Sequence, residues 1–362
     1  MSMFDPELGS ALPCWAYAGG APDVSGVLRA AAEDFVVDED LGFEPDGDGD
    51  HLLLHIRKRN TNTEWLARDL ARYAGIDPVD VGFAGLKDRH AVTTQWFSLH
   101  LPGGAQPDWR GYDNPDVELL GSYRHRRKLR RGGLRGNAFR LQIRDLRGNV
   151  DGLVERLRRV QEEGVPNYFG EQRFGINGGN LREALAMFAD RNRVRDRHKR
   201  GLYLSAARSF LFNEVLSARV AAGNWLQALP GEVLQLAGSQ SFVECAVPTE
   251  LIVQRIAAGE LLTTGPMWGR GRPLGSGEAA ALEQQVLAPY ALWRDGLEHA
   301  GLEQERRALR LMVTDISWAL DTTAATLTLG FWLPAGAYAT TVLREVVTTA
   351  PDGDTVRSQN DR

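Results

Sequence analysis

The chain has 362 residues, of which 43% are hydrophobic, 25% charged and 8% aromatic. That composition excludes disordered and fibrous classes and, at roughly 100–200 residues per domain, leaves room for two or three domains. Two cysteines, Cys14 and Cys245, are too few for a disulfide framework and lack the paired spacing of structural zinc, and no run approaches the roughly 18 apolar residues of a membrane helix. The N-terminal residues carry acid where a secretory signal would carry base, so a cytoplasmic chain away from membranes is expected.

In chain order, the acids from Glu33 to Asp50 stand without a single Lys or Arg and read as an acidic loop. In 51–57 the apolar Leu52, Leu54 and Ile56 share one face of a predicted strand, and Trp65, Leu66, Leu70 and Tyr73 fall at helical spacing over 63–73, closed by Gly75. Short β-rich runs follow at 81–84, 94–100, 117–123 and 139–143, then a helix over 150–163 ended by Gly164. From Val165 the pattern turns mainly helical, at 180–188, 204–222, 248–258 and 277–300, with one β run at 233–237. β character returns at 308–320 and 325–333, before a helix over 338–347 and a polar tail expected to be disordered. The pattern predicts an α+β protein: a first module over 1–164, an inserted mainly helical domain over 165–303, a return to the first module over 304–350, and the tail 351–362.

The net charge of −5 conceals clustered base. Arg124, Arg126, Arg127, Lys128, Arg130, Arg131 and Arg135 stand together without acid, and a second cluster holds Arg191, Arg193, Arg195, Arg197, Lys199 and Arg200 against Asp196 alone. Two arginine-rich patches of this kind suit a phosphate backbone; the alternative is solvated loop charge with no partner.

Several chemistries are excluded. No phosphate loop or complete dinucleotide fingerprint is present, so no nucleotide cofactor is expected. His51 and His55 would lie roughly 13 Å apart on the predicted strand, too far to clasp one ion, and no metal is expected. What remains is 83–96, where a strand end and Gly85 lead to Asp88 between Lys87 and Arg89 and then to a second strand. On extended backbone the two cations would flank the carboxylate and could hold phosphate while Asp88 faces a pocket, although an isolated Lys-Asp-Arg is also ordinary surface charge.

The segment Gly85-Leu86-Lys87-Asp88-Arg89-His90-Ala91-Val92-Thr93, with Gln95-Trp96, resembles the catalytic motif of the TruD family of tRNA pseudouridine synthases. Glu33-Asp34-Phe35, Arg135-Gly136-Asn137-Ala138-Phe139, the run from Val165 to Gly175 and the run from Leu333 to Thr340 resemble family segments in the same order. The resemblance implies a pseudouridine-synthase-type mixed sheet carrying an inserted family-specific domain. It also implies cofactor-free isomerisation of a uridine in tRNA, typically position 13 in the D-arm, by cutting the N-glycosidic bond and rejoining the base through carbon. By resemblance Asp88 is the catalytic carboxylate, as nucleophile towards the ribose or as base; Asn137 orients it, and Phe139 and Phe35 pack on the base. Where the family carries lysine this chain has Arg29, which keeps the charge and changes its geometry. Lys87 and Arg89 are further substrate contacts. Arg126, Arg127, Lys128, Arg130, Arg131, Arg195 and Arg197 are expected RNA contacts, with Arg208, Arg270 and Arg272 as weaker ones. Two other classes fit parts of the pattern: an RNA-binding protein without catalysis, which would not need Asp88, and a nuclease or glycosylase using a lone aspartate.

Overall fold

The computed structural model describes residues 12–104, 106–189 and 194–349. The expected tail 351–362, and Arg191 and Arg193 of the second basic cluster, lie outside the described residues. The chain divides into two units, one of 23–155, 313–339 and 346–349, the other of 12–22, 156–312 and 340–345.

The chain begins with β1 (Val24–Leu28), β2 (Phe35–Asp40), β3 (His51–Arg59), α1 (Thr63–Ala74), β4 (Val81–Phe83), β5 (Val92–His100), β6 (Val117–His125) and β7 (Gly136–Gly148). There follow α2 (Asp151–Glu163), β8 (Val165–Pro166), α3 (Gly179–Ala189), α4 (Arg197–Ala221), β9 (Glu232–Leu236), β10 (Phe242–Cys245), α5 (Glu250–Ala257) and β11 (Leu261–Met267). The rest comprises α6 (Gly277–Leu287), α7 (Ala291–His299), β12 (Glu305–Ala308), β13 (Arg310–Leu311), β14 (Thr314–Asp321), β15 (Thr326–Pro334), α8 (Ala339–Val346) and β16 (Thr348–Thr349).

A ten-stranded mixed sheet organises the first unit, in the order β14-β15-β7-β2-β5-β3-β6, with β1 beside β7, β16 beside β1 and β4 beside β5. The fold class is therefore α+β, and β2 lies at the middle of the sheet, antiparallel to β7 and parallel to β5. The acidic stretch is thus not a loop throughout. Phe35, Val37 and Glu39 alternate inward on β2 while Val36, Asp38 and Asp40 face the other way, the period-2 pattern of a strand. Helix α1 starts where the Asn62 side chain accepts from the amides of Glu64 and Trp65, and it ends at Gly75, whose φ of +67° is the left-handed cap that glycine adopts without strain. Its Leu66, Ala67, Leu70 and Ala71 bury against Leu52, Leu54, Ile56, Phe97 and Leu99 on one face of β3 and β5.

The second unit is built round α4, whose Phe210, Leu211, Phe212, Val215 and Leu216 are buried, with Trp15 of the N-terminal segment in the same core. Its sheet runs β10-β9-β11-β12. Helix α4 begins at Arg197, earlier than the apolar pattern predicts, because the Asp196 carboxylate caps it by accepting from the amides of His198 and Lys199. The single helix expected over 277–300 is α6 and α7 separated by a 3-10 turn at Ala288–Tyr290, where Pro289 lacks the amide that continuous helix requires. The single strand expected over 308–320 is likewise broken into β12, β13 and β14, which pair with three different partners: β11, β8 and β15.

Removing Leu66 from the fully buried α1 face should destabilise the fold by about 2–5 kcal/mol in Leu66→Ala, against about 1 kcal/mol for loss of the cap in Asn62→Ala. Urea unfolding followed by tryptophan fluorescence checks this order; a cap loss equal to or larger than the core loss contradicts it.

Candidate active site

Register places the site. On β2, Val37 stands opposite Phe139 of β7 and Thr93 of β5, while Glu39 stands opposite Asn137. Thr93 in turn stands opposite Lys58 of β3, and Gln95 opposite Ile56. Paired residues share a face. Phe35, Val37, Glu39, Asn137, Phe139, Thr93, Gln95 and Lys58 therefore all project from the face that α1 covers further along β3. Gly136 permits this approach of β7 to β15, because a Cβ there would collide with the Trp332 ring and the Leu333 carbonyl.

The segment 84–91 joins β4 to β5 and is anchored by side chains from this face. The Lys87 amide donates to Thr63 Oγ1 at 3.1 Å, Thr63 Oγ1 donates to Gln95 Oε1 at 2.9 Å, and Gln95 Nε2 donates to the Gly85 carbonyl at 3.4 Å. Lys87 Nζ pairs with Glu39 Oε2 at 2.5 Å, with side chains 7% and 0% exposed, and Glu39 Oε1 accepts from the Trp96 amide at 3.2 Å. Lys58, fully buried, donates from Nζ to the carbonyls of Thr61 at 2.6 Å and Asp88 at 3.1 Å. Lys87 consequently faces inward rather than flanking Asp88 as an exposed phosphate contact, whereas Arg89 is exposed.

The Asp88 side chain, 42% exposed, meets Arg29 Nη2 at 3.1 Å. Arg29 lies with its guanidinium carbon 4.0 Å from the Phe35 ring centroid, a cation–π contact. Its backbone has φ +59°, a left-handed conformation rare for a residue with a side chain. The turn after it is braced by Asp34, which accepts from the Ala31 amide and from both Nε and Nη2 of Arg144. The Arg144 guanidinium holds the Asp34 carboxyl below its ordinary range. The Phe35 ring meets Phe139 edge-on at 6.3 Å, and Phe139 stacks on Phe331 of β15 at 5.3 Å. The result is a continuous row of carboxylate, guanidinium and three aromatic rings. Asn137 Oδ1 is buried with no hydrogen-bond partner among the described residues, and the Asp88 carboxylate is held by Arg29.

Arg29, Phe35, Lys87, Asp88, Arg89, Asn137 and Phe139, all within this one unit, were named from the sequence and Gln95 stood in the quoted motif without a role, whereas Glu39, Lys58, Thr63 and Phe331 were not singled out. The last was visible in the alternation Leu327, Leu329, Phe331, Leu333.

The first basic cluster is not uniformly available. Arg126 forms a two-point pair with Asp48 at 2.9 Å, Arg131 pairs with Glu64 at 3.1 Å, Arg135 with Asp40, and Lys128 donates to the Val79 carbonyl. Arg127 and Arg130 are exposed, and among the described residues neither has an ion-pair partner. In the other unit Arg195 and Arg197 are exposed, Arg208 binds the carbonyls of Met267 and Trp268 and the Glu305 carboxylate, and Arg270 pairs with Glu303. His51 has His100 and His125 as cross-strand neighbours, a row that spacing along the chain did not reveal, and its ring centroid lies 4.9 Å from that of His100. Among the described residues no set of three or more His, Cys, Asp or Glu is grouped to hold a metal ion, and no helix is long and apolar enough to cross a membrane.

Glu39→Gln should leave the buried Lys87 charge unpaired and cost about 3–5 kcal/mol of stability, with most of the loss recovered in the double variant Glu39→Gln/Lys87→Met. Thermal unfolding of the two singles and the double checks this; simple addition of the single losses contradicts the pairing.

A family model described as tRNA pseudouridine synthase D (TruD) matches residues 12–184 and 192–346. The tRNA pseudouridine synthase D of Methylococcus capsulatus is 52% identical over 337 residues, 93% of this chain and 95% of the relative. That of Aeromonas salmonicida is 50% identical over 345 residues, 95% and 97% of the two chains. Among solved structures, a Methanosarcina mazei chain assigned to tRNA pseudouridine synthase D superposes with a TM-score of 0.71 at 22% identity, covering 95% of this chain and 97% of that one, a likeness in fold. The order of the motifs, the mixed sheet and these matches agree: the chain belongs to the tRNA pseudouridine synthase D family.

Proposed function

We propose that this protein isomerises a uridine of tRNA to pseudouridine, at position 13 in the D-arm, with Asp88 as the catalytic carboxylate. The carrying observation is the row Asp88, Arg29, Phe35, Phe139 and Phe331, in which one partly exposed carboxylate is oriented at the edge of stacked rings. A target base must leave its helix to be reached, and each aromatic contact offsets unstacking by roughly 1–3 kcal/mol. Phe139, only partly buried, offers such a contact, while the buried Phe35 and Phe331 hold it in place. Asn137, with a buried acceptor that none of the described residues satisfies, supplies a hydrogen-bonding position on the same face. The Asp88 carboxylate acts either by attack on the ribose or by taking a proton from it; Arg29 fixes its direction in both routes. Cleavage of the glycosidic bond, rotation of the base and rejoining through carbon require no external oxidant or reductant, so the proposed reaction uses no cofactor. Membership of a tRNA-modifying family supports a cytoplasmic site of action.

Asp88→Asn keeps shape and polarity but can act as neither nucleophile nor strong base. Pseudouridine formation, read as carbodiimide adducts that survive alkali, should fall at least about a thousandfold while tRNA affinity stays within a few-fold. Turnover near the wild-type rate contradicts the assignment of Asp88.

Of the basic residues, Arg127 and Arg130 are exposed and meet no carboxylate among the described residues, whereas Arg126 and Arg131 already face Asp48 and Glu64. Replacing Arg127 and Arg130 by alanine should therefore reduce the slope of log K against log salt by about 1–2 units, and replacing Arg126 and Arg131 by less. Filter binding across a salt series distinguishes the pairs; equal slopes for both double variants and the wild type return the cluster to solvated charge.

A further inference from the structure

Lys58 presents a problem that the catalytic reading leaves open. It lies on β3 between Thr93 of β5 and Val117 of β6 and is 0% exposed; among the described residues no carboxylate lies within ion-pair distance, and its two acceptors are main-chain carbonyls. An unpaired buried ammonium is costly, and an apolar side chain of similar length would fill the same space at less expense. What the ammonium contributes is direction. One acceptor, the carbonyl of Thr61, belongs to a turn fixed by the bond from Thr61 Oγ1 to the Arg59 carbonyl at 2.7 Å and leading into α1. The other is the carbonyl of Asp88 itself. Lys58 thus ties the peptide group of the carboxylate-bearing residue to the rigid start of a helix, while Glu39 ties down the preceding side chain, Lys87.

We propose that Lys58 is a positioning residue for the isomerisation: by donating to the Asp88 main-chain carbonyl, its ammonium sets the orientation in which the Asp88 carboxylate meets the ribose. This rests on the reading of Asp88 as the catalytic group. A displacement of about 1 Å at a reacting group can cost on the order of a hundredfold in rate, so the hydrogen bond acts on the chemical step and not on tRNA binding.

The charge state of Lys58 gives the proposal a signature that plain packing lacks. Burial pushes its pKa down to about 8, opposed by the attraction of Asp88 and reinforced by the repulsion of Lys87. Its strand neighbours Thr93 and Val117, and Thr61 beside it, carry no charge. The ammonium donates more strongly than the neutral amine. The chemical step should therefore be fast below pH of about 8 and slow as Lys58 loses its proton above it, well short of the range of an ordinary lysine.

The test is the single-turnover rate of pseudouridine formation on unmodified tRNA, with tRNA affinity measured beside it, across neutral and alkaline pH for the wild type, Lys58→Met and Lys58→Arg. Expected are a wild-type alkaline limb near pH 8, a roughly 10–100-fold slower Lys58→Met without that limb and with affinity within about twofold, and partial rescue by Lys58→Arg with the limb moved upward. A folded Lys58→Met with the wild-type rate, or one that retains the limb, overturns the proposal. If Lys58→Met fails to fold, a wild-type rate that stays flat through pH 9 overturns it as surely. Asp88→Asn, run in parallel, separates the two readings: an active Asp88→Asn removes the catalytic assignment itself, whereas an inactive one beside a fully active Lys58→Met removes only the role of Lys58.

Discussion

The buried ion pair between Glu39 and Lys87 is the constraint on which the site depends. It joins the middle strand of the sheet to the exposed segment that carries Asp88, and the Glu39 carboxylate also accepts from the Trp96 amide on the next strand. Charges this deeply buried are tolerated only in good mutual geometry, so the pair specifies where residue 87 sits more sharply than apolar packing could. Residue 88 is then placed by its covalent neighbour from one side and by the carbonyl bond from Lys58 on the other. The segment 84–91 lies outside the regular strands, and its order comes from side chains of the sheet and of Thr63 at the start of α1, with main-chain bonds from Gly132 and Asn60 at its two ends.

On the same face stands a row of a different character, one guanidinium followed by aromatic rings. Arg29, Phe35, Phe139 and Phe331 pack in sequence across three elements, and the guanidinium at one end meets Asp88. An arginine suits this place in a way that lysine would not, since its planar group can lie on a ring and hydrogen-bond a carboxylate at once. The left-handed backbone at Arg29 is a local strain of the kind that concentrates at functional sites, held here by the Asp34–Arg144 brace. Carboxylate, cation and rings are each placed by a separate structural device, and the chemistry proposed for the site uses all three.

Much of this was legible in the sequence, for reasons that can be named. The Leu52, Leu54, Ile56 alternation and the helical spacing of Leu66 and Leu70 are local signals of burial, and they located β3 and α1 to within a few residues. Motif order carried Asp88, Asn137, Phe139 and Phe35. The strand β2 was missed because Asp38-Glu39-Asp40 has the composition of a loop, and Glu39 is tolerable inside only because Lys87 reaches it from 48 positions away. Lys58 falls just beyond the strand predicted over 51–57, and its acceptors are backbone groups, which no side-chain pattern announces. The break at Pro289 was written in the sequence and was overridden by the apolar periodicity round it.

If Asp88 is held in place before RNA arrives, the segment that carries it should behave as part of the sheet and not as a loop. Native-state hydrogen exchange of the free protein reads this directly at the Lys87 amide, which donates to Thr63 Oγ1. The account predicts that this amide exchanges as slowly as amides of β3 and β5 and that tRNA changes its protection little. Exchange at the rate of an open loop, with protection appearing only on addition of tRNA, would contradict it.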